Sequence, residues 1–142
     1  MSRVSFYFLD KTFSFKNRNE LKNYVGKIFA NNKRQLSHLS YIFCSDEYLL
    51  NINRQFLQHD YYTDIITFDM SLNKKEITGE VYISVDRIRE NAKTHHQTLK
   101  HELHRVVFHG ALHLCGFRDK TEREKKIMRK SEDRCLSEYF AL

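Results

Sequence analysis

Proline is missing from all 142 residues of this chain. No proline-rich linker can therefore divide it, and no internal repeat or low-complexity run does so either. No stretch reaches the ~18 consecutive apolar residues that a membrane-spanning helix requires, and the N-terminus carries no cleavable apolar leader. A soluble protein that stays in the cytoplasm is expected. The three cysteines, Cys44, Cys115 and Cys135, are odd in number and widely spaced, which excludes a disulfide framework. Stability must then come from apolar burial, and 41% hydrophobic residues suffice for one domain over residues 1–142.

Positive charge is in excess. The formal net charge is +6 and the pI is about 9.2, so the chain carries a field that attracts polyanions, RNA foremost. Many basic proteins bind no nucleic acid, and charge alone leaves both readings open.

Taken in order, residues 3 to 9 are rich in β-branched and aromatic side chains and predict a strand. Asn17 followed three residues later by Glu20 predicts a capped helix running to about residue 32, with Leu21, Tyr24, Val25 and Ile28 as its apolar stripe. Residues 39 to 44 predict a second strand. Ser45, Asp46 and Glu47 suit the start of a helix that turns Leu49, Ile52 and Phe56 inward. Residues 63 to 68 form a short apolar run, and after a turn at 71 to 79 the alternation over residues 79 to 86 predicts a fourth strand. Thr121 and Glu124 make a capping-box start for a charged helix through Phe140. The fold class expected is α+β, a small mixed four-stranded sheet covered by helices.

Between these elements lies the stretch that carries chemistry. His109 and His113 are four residues apart among apolar neighbours, so on a helix they share one face and can hold one metal ion from the same side. A buried, hydrogen-bonded core histidine is the plainer reading of either residue alone. Gly116 can take the left-handed conformation that ends a helix and reverses the chain, and Asp119 is the first strong ligand beyond it. Two imidazoles and one carboxylate leave a fourth coordination position open, as in catalytic zinc sites. Cys115 falls off that face and is expected to be a small buried hydrophobe.

The string His109-Gly110-Ala111-Leu112-His113-Leu114-Cys115-Gly116 resembles the signature of the YbeY family, bacterial rRNA maturation factors regarded as metal-dependent endoribonucleases. Thr63-Asp64-Ile65-Ile66-Thr67-Phe68 is similar to the family's Thr-Asp-Val-Leu-Ser-Phe strand, and Gly79-Glu80-Val81-Tyr82-Ile83-Ser84 to its Gly-Asp-Ile-x-Ile-Ser. The resemblance runs from about residue 40 to 120. Three departures stand out. The family's third metal-ligating histidine is matched by Asp119, its arginine thought to matter for activity by Leu57, and the proline after its strand by Asp69. A carboxylate binds zinc at about 2.0–2.2 Å, much like an imidazole nitrogen, but its negative charge should make bound water less acidic. Arg54, near one turn before Leu57, could replace the missing positive charge or be an ordinary exposed arginine.

The resemblance implies a zinc-dependent hydrolase with one Zn²⁺ per chain on His109, His113 and Asp119. It would cleave phosphodiester bonds of single-stranded RNA in maturation of the 16S rRNA 3′ end and in ribosome quality control. Single-stranded RNA, 16S rRNA and ribosomal particles are the implied partners; DNA and membranes are not. The general base is not identified. Glu102 lies seven residues before His109 on the same stripe, too far to ligate but able to orient a ligand. His95, His96, His101 and His104 are expected to face solvent or RNA. Two alternatives remain: a non-catalytic ribosome assembly factor with a structural metal, and a zinc hydrolase of another substrate. Against the latter, the protease helix places Glu where this chain has Gly110.

Overall fold

The computed structural model describes residues 3–142. In chain order its elements are β1 (Val4–Phe8), α1 (Arg18–Asn31), β2 (Gln35–Cys44), α2 (Asp46–Phe56), β3 (Ile65–Asp69), β4 (Glu76–Ser84), α3 (Val85–Thr94), α4 (Leu99–Leu114) and α5 (Glu122–Phe140). The strands form one mixed sheet in the order β1-β2-β4-β3. β1 and β4 both run parallel to β2, and β3 runs antiparallel to β4. Parallel neighbours need a crossover, and α1 supplies the one between β1 and β2. The α+β architecture and the mixed four-stranded sheet are those expected from the sequence.

Strand alternation divides the core in two. Leu39, Tyr41 and Phe43 of β2 with Val81 and Ile83 of β4 face the large core shared with α1, α3, α4 and α5. Cys44 and Ile66 face a small core closed by Leu49 and Ile52 of α2. α4 runs through the large core, buried on nearly every side by Leu103, Val106, Val107, Phe108, Ala111, Leu112 and Leu114. Tyr41, fully buried, donates its hydroxyl to the Val107 carbonyl at 2.8 Å, which ties α4 to the middle of the sheet.

Several local expectations change. The sequence pattern predicts no helix between the fourth strand and the helix of His109 and His113, yet α3 occupies Val85–Thr94. Its signals are present: the Ser84 hydroxyl caps the Arg87 amide, and Val85, Ile88 and Ala92 recur on one buried face. Phe56 does not turn inward; it is 67% exposed and meets Phe68 only edge-on, because it lies in the last turn of α2, beyond the span of the small core. Asn17 stands at the N-cap of α1 but in a left-handed conformation (φ 61°), with no side-chain cap. β2 begins four residues earlier than expected, at Gln35. The Thr121–Glu124 capping box does form, with both reciprocal bonds.

Gly110 sets how closely α4 approaches the sheet. A Cβ there would lie 2.9 Å from Val81 Cγ1 and 3.3 Å from Ile65 Cδ1, and a valine has no flexible end to move aside. Gly110→Ala should therefore destabilise the fold by about 1–3 kcal/mol through overpacking, despite alanine's helix propensity advantage of about 1 kcal/mol. Chemical denaturation checks this; an unchanged or raised midpoint would mean the helix has room to shift.

Candidate active site

The site is assembled on α4 and on the turn that ends it. Thr98 caps α4 by accepting from the His101 amide. At the other end the chain reverses at Gly116, whose φ of 105° only glycine adopts without strain. Amide bonds from Gly116 to the His113 carbonyl and from Phe117 to that of Leu112 close the reversal. The return path places Asp119 Oδ2 3.3 Å from His109 Nε2. His113 lines the same cavity, of about 560 Å³, together with His109 and Asp119.

The other side of His109 is held from α5. His109 Nδ1 lies 2.7 Å from Glu132 Oε2, and Arg105 Nη1 donates to Glu132 Oε1 at 2.8 Å. A carboxylate can only accept, so Nδ1 carries a proton and the second nitrogen is aimed at Asp119. Arg105 also reaches Asp133 Oδ1 at 2.6 Å. Burial pulls the His109 imidazole down, but the Glu132 hydrogen bond and charge, aided by Asp119 and Asp64, outweigh it and leave the pKa raised. Asp64, half-buried in the cavity wall, is pushed up by its removal from water even though His109 acts against this.

Among the described residues no three His, Cys, Asp or Glu side chains are gathered into a metal-holding group. The donor chemistry nonetheless fits a divalent ion. Two imidazoles one turn apart and a carboxylate line one cavity, and a carboxylate behind His109 fixes the tautomer that leaves Nε2 for coordination.

Glu132, Arg105 and Asp64 were not singled out from sequence as site residues. Glu132 had a signal: it interrupts the buried α5 stripe of Met128, Cys135, Leu136 and Tyr139, where a lone carboxylate needs a partner. Glu102 lines the cavity but makes no bond to His109 among the described residues; His95 Nδ1 lies 3.9 Å from its carboxylate. The orienting carboxylate is Glu132 instead. Of the four preceding histidines, His95 and His96 are exposed. His104 is not: it is a buried core residue, its Nδ1 2.7 Å from the Lys100 carbonyl and its ring stacked on Tyr139. Burial holds its pKa down. His101 is half-buried, with no partner for Nδ1 among the described residues. Leu57 is exposed, and Arg54 pairs with Asp60 outside the cavity. Cys115 is buried as expected, its thiol pushed up by burial to about 12.

A family model described as Endoribonuclease YbeY matches residues 8–140. The chain belongs to the YbeY family. It is 50% identical over 134 residues to an endoribonuclease YbeY of Cytophaga hutchinsonii, covering 94% of each chain. To that of Christiangramia forsetii it is 42% identical over 127 residues, 89% of this chain and 88% of the relative. The solution structure of a Thermotoga maritima protein superposes with a TM-score of 0.66 at 26% identity, over 99% of this chain and 90% of that one. Membership in the YbeY family accounts for the helix signature around His109 and His113, and the match extends well beyond it into α5, where Glu132 lies.

Two outcomes follow for this YbeY chain. Glu132→Gln should lower affinity for a divalent metal ion by about 10–100-fold, the usual effect of removing a group that orients a ligand; a competition titration against a chromophoric chelator reads it, and unchanged affinity would remove Glu132 from that role. In metal-free protein, the raised His109 pKa contributes stability that is full below the ordinary imidazole value of ~6.5 and is lost as pH rises through the folded-state pKa. Its melting temperature should fall from about pH 6 to about pH 8.5 more steeply than that of metal-free His109→Asn.

Proposed function

We propose that this chain is a single-strand-specific, metal-dependent endoribonuclease acting in the cytoplasm, in maturation of the 16S rRNA 3′ end and in ribosome quality control. One Zn²⁺ would be held by His109, His113 and Asp119. The observation that carries the reading is the arrangement of His109, fixed on Nδ1 by Glu132 with Nε2 3.3 Å from Asp119, in a cavity that His113 also lines. It stands in a chain that belongs to the YbeY family and has excess positive charge.

When bound, the ion supplies Lewis acidity at a phosphoryl oxygen and acidifies water. The chain's own residues do the rest. Lys125 and Arg129, exposed at the cavity rim, draw phosphate toward it. Glu132 and Arg105 keep the His109 ring from rotating. Asp64, in the wall of this cavity with its pKa raised by burial, is the carboxyl proposed to take up a proton. A peptidase-like reaction is disfavoured by packing: the position beside His109 where a protease carries its glutamate is Gly110, and Val81 leaves no room there for a side chain.

The enzyme and the assembly factor separate when ligands are removed from folded protein. His113 is exposed, so His113→Ala should keep the fold by circular dichroism. With Asp119→Ala, it should reduce cleavage of a single-stranded 16S rRNA fragment by about 10³-fold or more, while leaving RNA binding and its steep salt dependence intact. Equal cleavage by wild type and both variants would end the hydrolase reading. No cleavage by wild type, with ribosomal-particle binding retained, would establish the assembly factor.

A further inference from the structure

The cavity holding the ligand set does not end at His113. That histidine also lines a second depression of about 770 Å³, walled by Arg34, Lys74 and Arg118 with Asn73 and Ser71. Arg34 comes from the loop between α1 and β2, Lys74 from the turn between β3 and β4, and Arg118 from the reversal after α4. Three separate segments thus bring cations to one groove. Arg34 is positioned rather than free to wander: Nη1 donates to the Lys74 carbonyl at 3.3 Å, and its guanidinium lies against the open side of Gly116. None of the three makes an ion pair among the described residues. The one carboxylate in the groove, Asp69, accepts from the Ser71 amide and closes its own turn.

Lys125 and Arg129 line the cavity that holds His109, His113 and Asp119 and are absent from the lining of the Arg34–Lys74–Arg118 groove. His113 belongs to the walls of both depressions, so the cations lining each, Lys125 and Arg129 in one and Arg34, Lys74 and Arg118 in the other, neighbour the same histidine. An enzyme that cuts inside a strand must hold backbone on both sides of the bond it breaks. Resting on the endoribonuclease reading, we infer that the Arg34–Lys74–Arg118 groove binds the RNA backbone on one side of the scissile phosphate. Lys125 and Arg129 serve the other side. The groove reads phosphate rather than base, because its donors are cationic and it offers no aromatic platform for stacking.

The test is the double neutralisation Arg34→Gln/Lys74→Gln, which leaves His109, His113, Asp119, Glu132 and Arg105 in place while removing the guanidinium that packs on the Gly116 turn. Lys11→Gln/Lys27→Gln, the same loss of charge outside both depressions, is the control. On a single-stranded RNA, the logarithm of the binding constant should depend less steeply on the logarithm of salt in the groove variant, with the slope shallower by about 1.4, ~0.7 per phosphate released. Cleavage of RNAs lengthened on the 5′ side or on the 3′ side of the cut should lose the benefit of lengthening in one series only. Turnover of bis(p-nitrophenyl) phosphate by Lys74→Gln should match wild type, because this diester has no strand to lay along the groove. Lys74→Gln alone, an exposed change with no side-chain bond lost, guards against misfolding and should show about half the slope change. Slopes and length dependences equal to the control variant would overturn the groove while wild-type cleavage still stood. Absence of RNA binding and cleavage in wild type would overturn both readings together.

Discussion

The site depends on one carboxylate shared by two cation-capable groups. Glu132 is 5% exposed, and its two oxygens serve Arg105 and His109 separately. A lone buried charge would cost several kcal/mol, and a buried pair repays that only when its remaining hydrogen-bonding sites are filled. Here they are, because Arg105 spends a further donor on Asp133. The same network docks α5 on α4, so the element that closes the core also sets the rotation of the His109 ring. Stability and site geometry are thereby one interaction, and a change at Glu132 touches both.

Two glycines do the complementary work on the backbone. Gly110 lets α4 sit against Val81 and Ile65, which carries His109 and His113 to the edge of the sheet where β3 brings Asp64. Gly116 reverses the chain so that Asp119 meets His109 rather than continuing away along the helix axis. Arg34 packs against that same turn, so the reversal that brings Asp119 to His109 also anchors one cation of the neighbouring groove. The departure from histidine at position 119 places a negative charge opposite His109, and part of the raised His109 pKa comes from it. A carboxylate ligand trades some acidity of bound water for tighter electrostatic hold on the cation.

What the sequence by itself determined were features whose partners lie within one turn of helix or one strand repeat. The His109/His113 face follows from a spacing of four, the Gly116 stop from φ, and the Thr121–Glu124 box from a spacing of three. The strands follow from short β-rich runs, and all of these stand in the structure. α3 obeyed the same local rules and was readable, through Ser84, Val85 and Ile88, although the alternation of β4 masked it. Tertiary structure alone decided which carboxylate supports His109. Glu132 is 23 residues away, and its place on the buried α5 stripe shows that it needs a partner without saying that the partner is His109, whereas Glu102 shares the His109 stripe yet makes no bond to the ring among the described residues. Tertiary structure also decided that His104 is core because Tyr139 stacks on it, that Phe56 is surface because the small core stops short of it, and that Arg34, Lys74 and Arg118 share one groove. Local geometry is set by covalent spacing, which the sequence displays. The pairing of distant charges is set by how the packed layers rotate against each other, and no single segment carries that information.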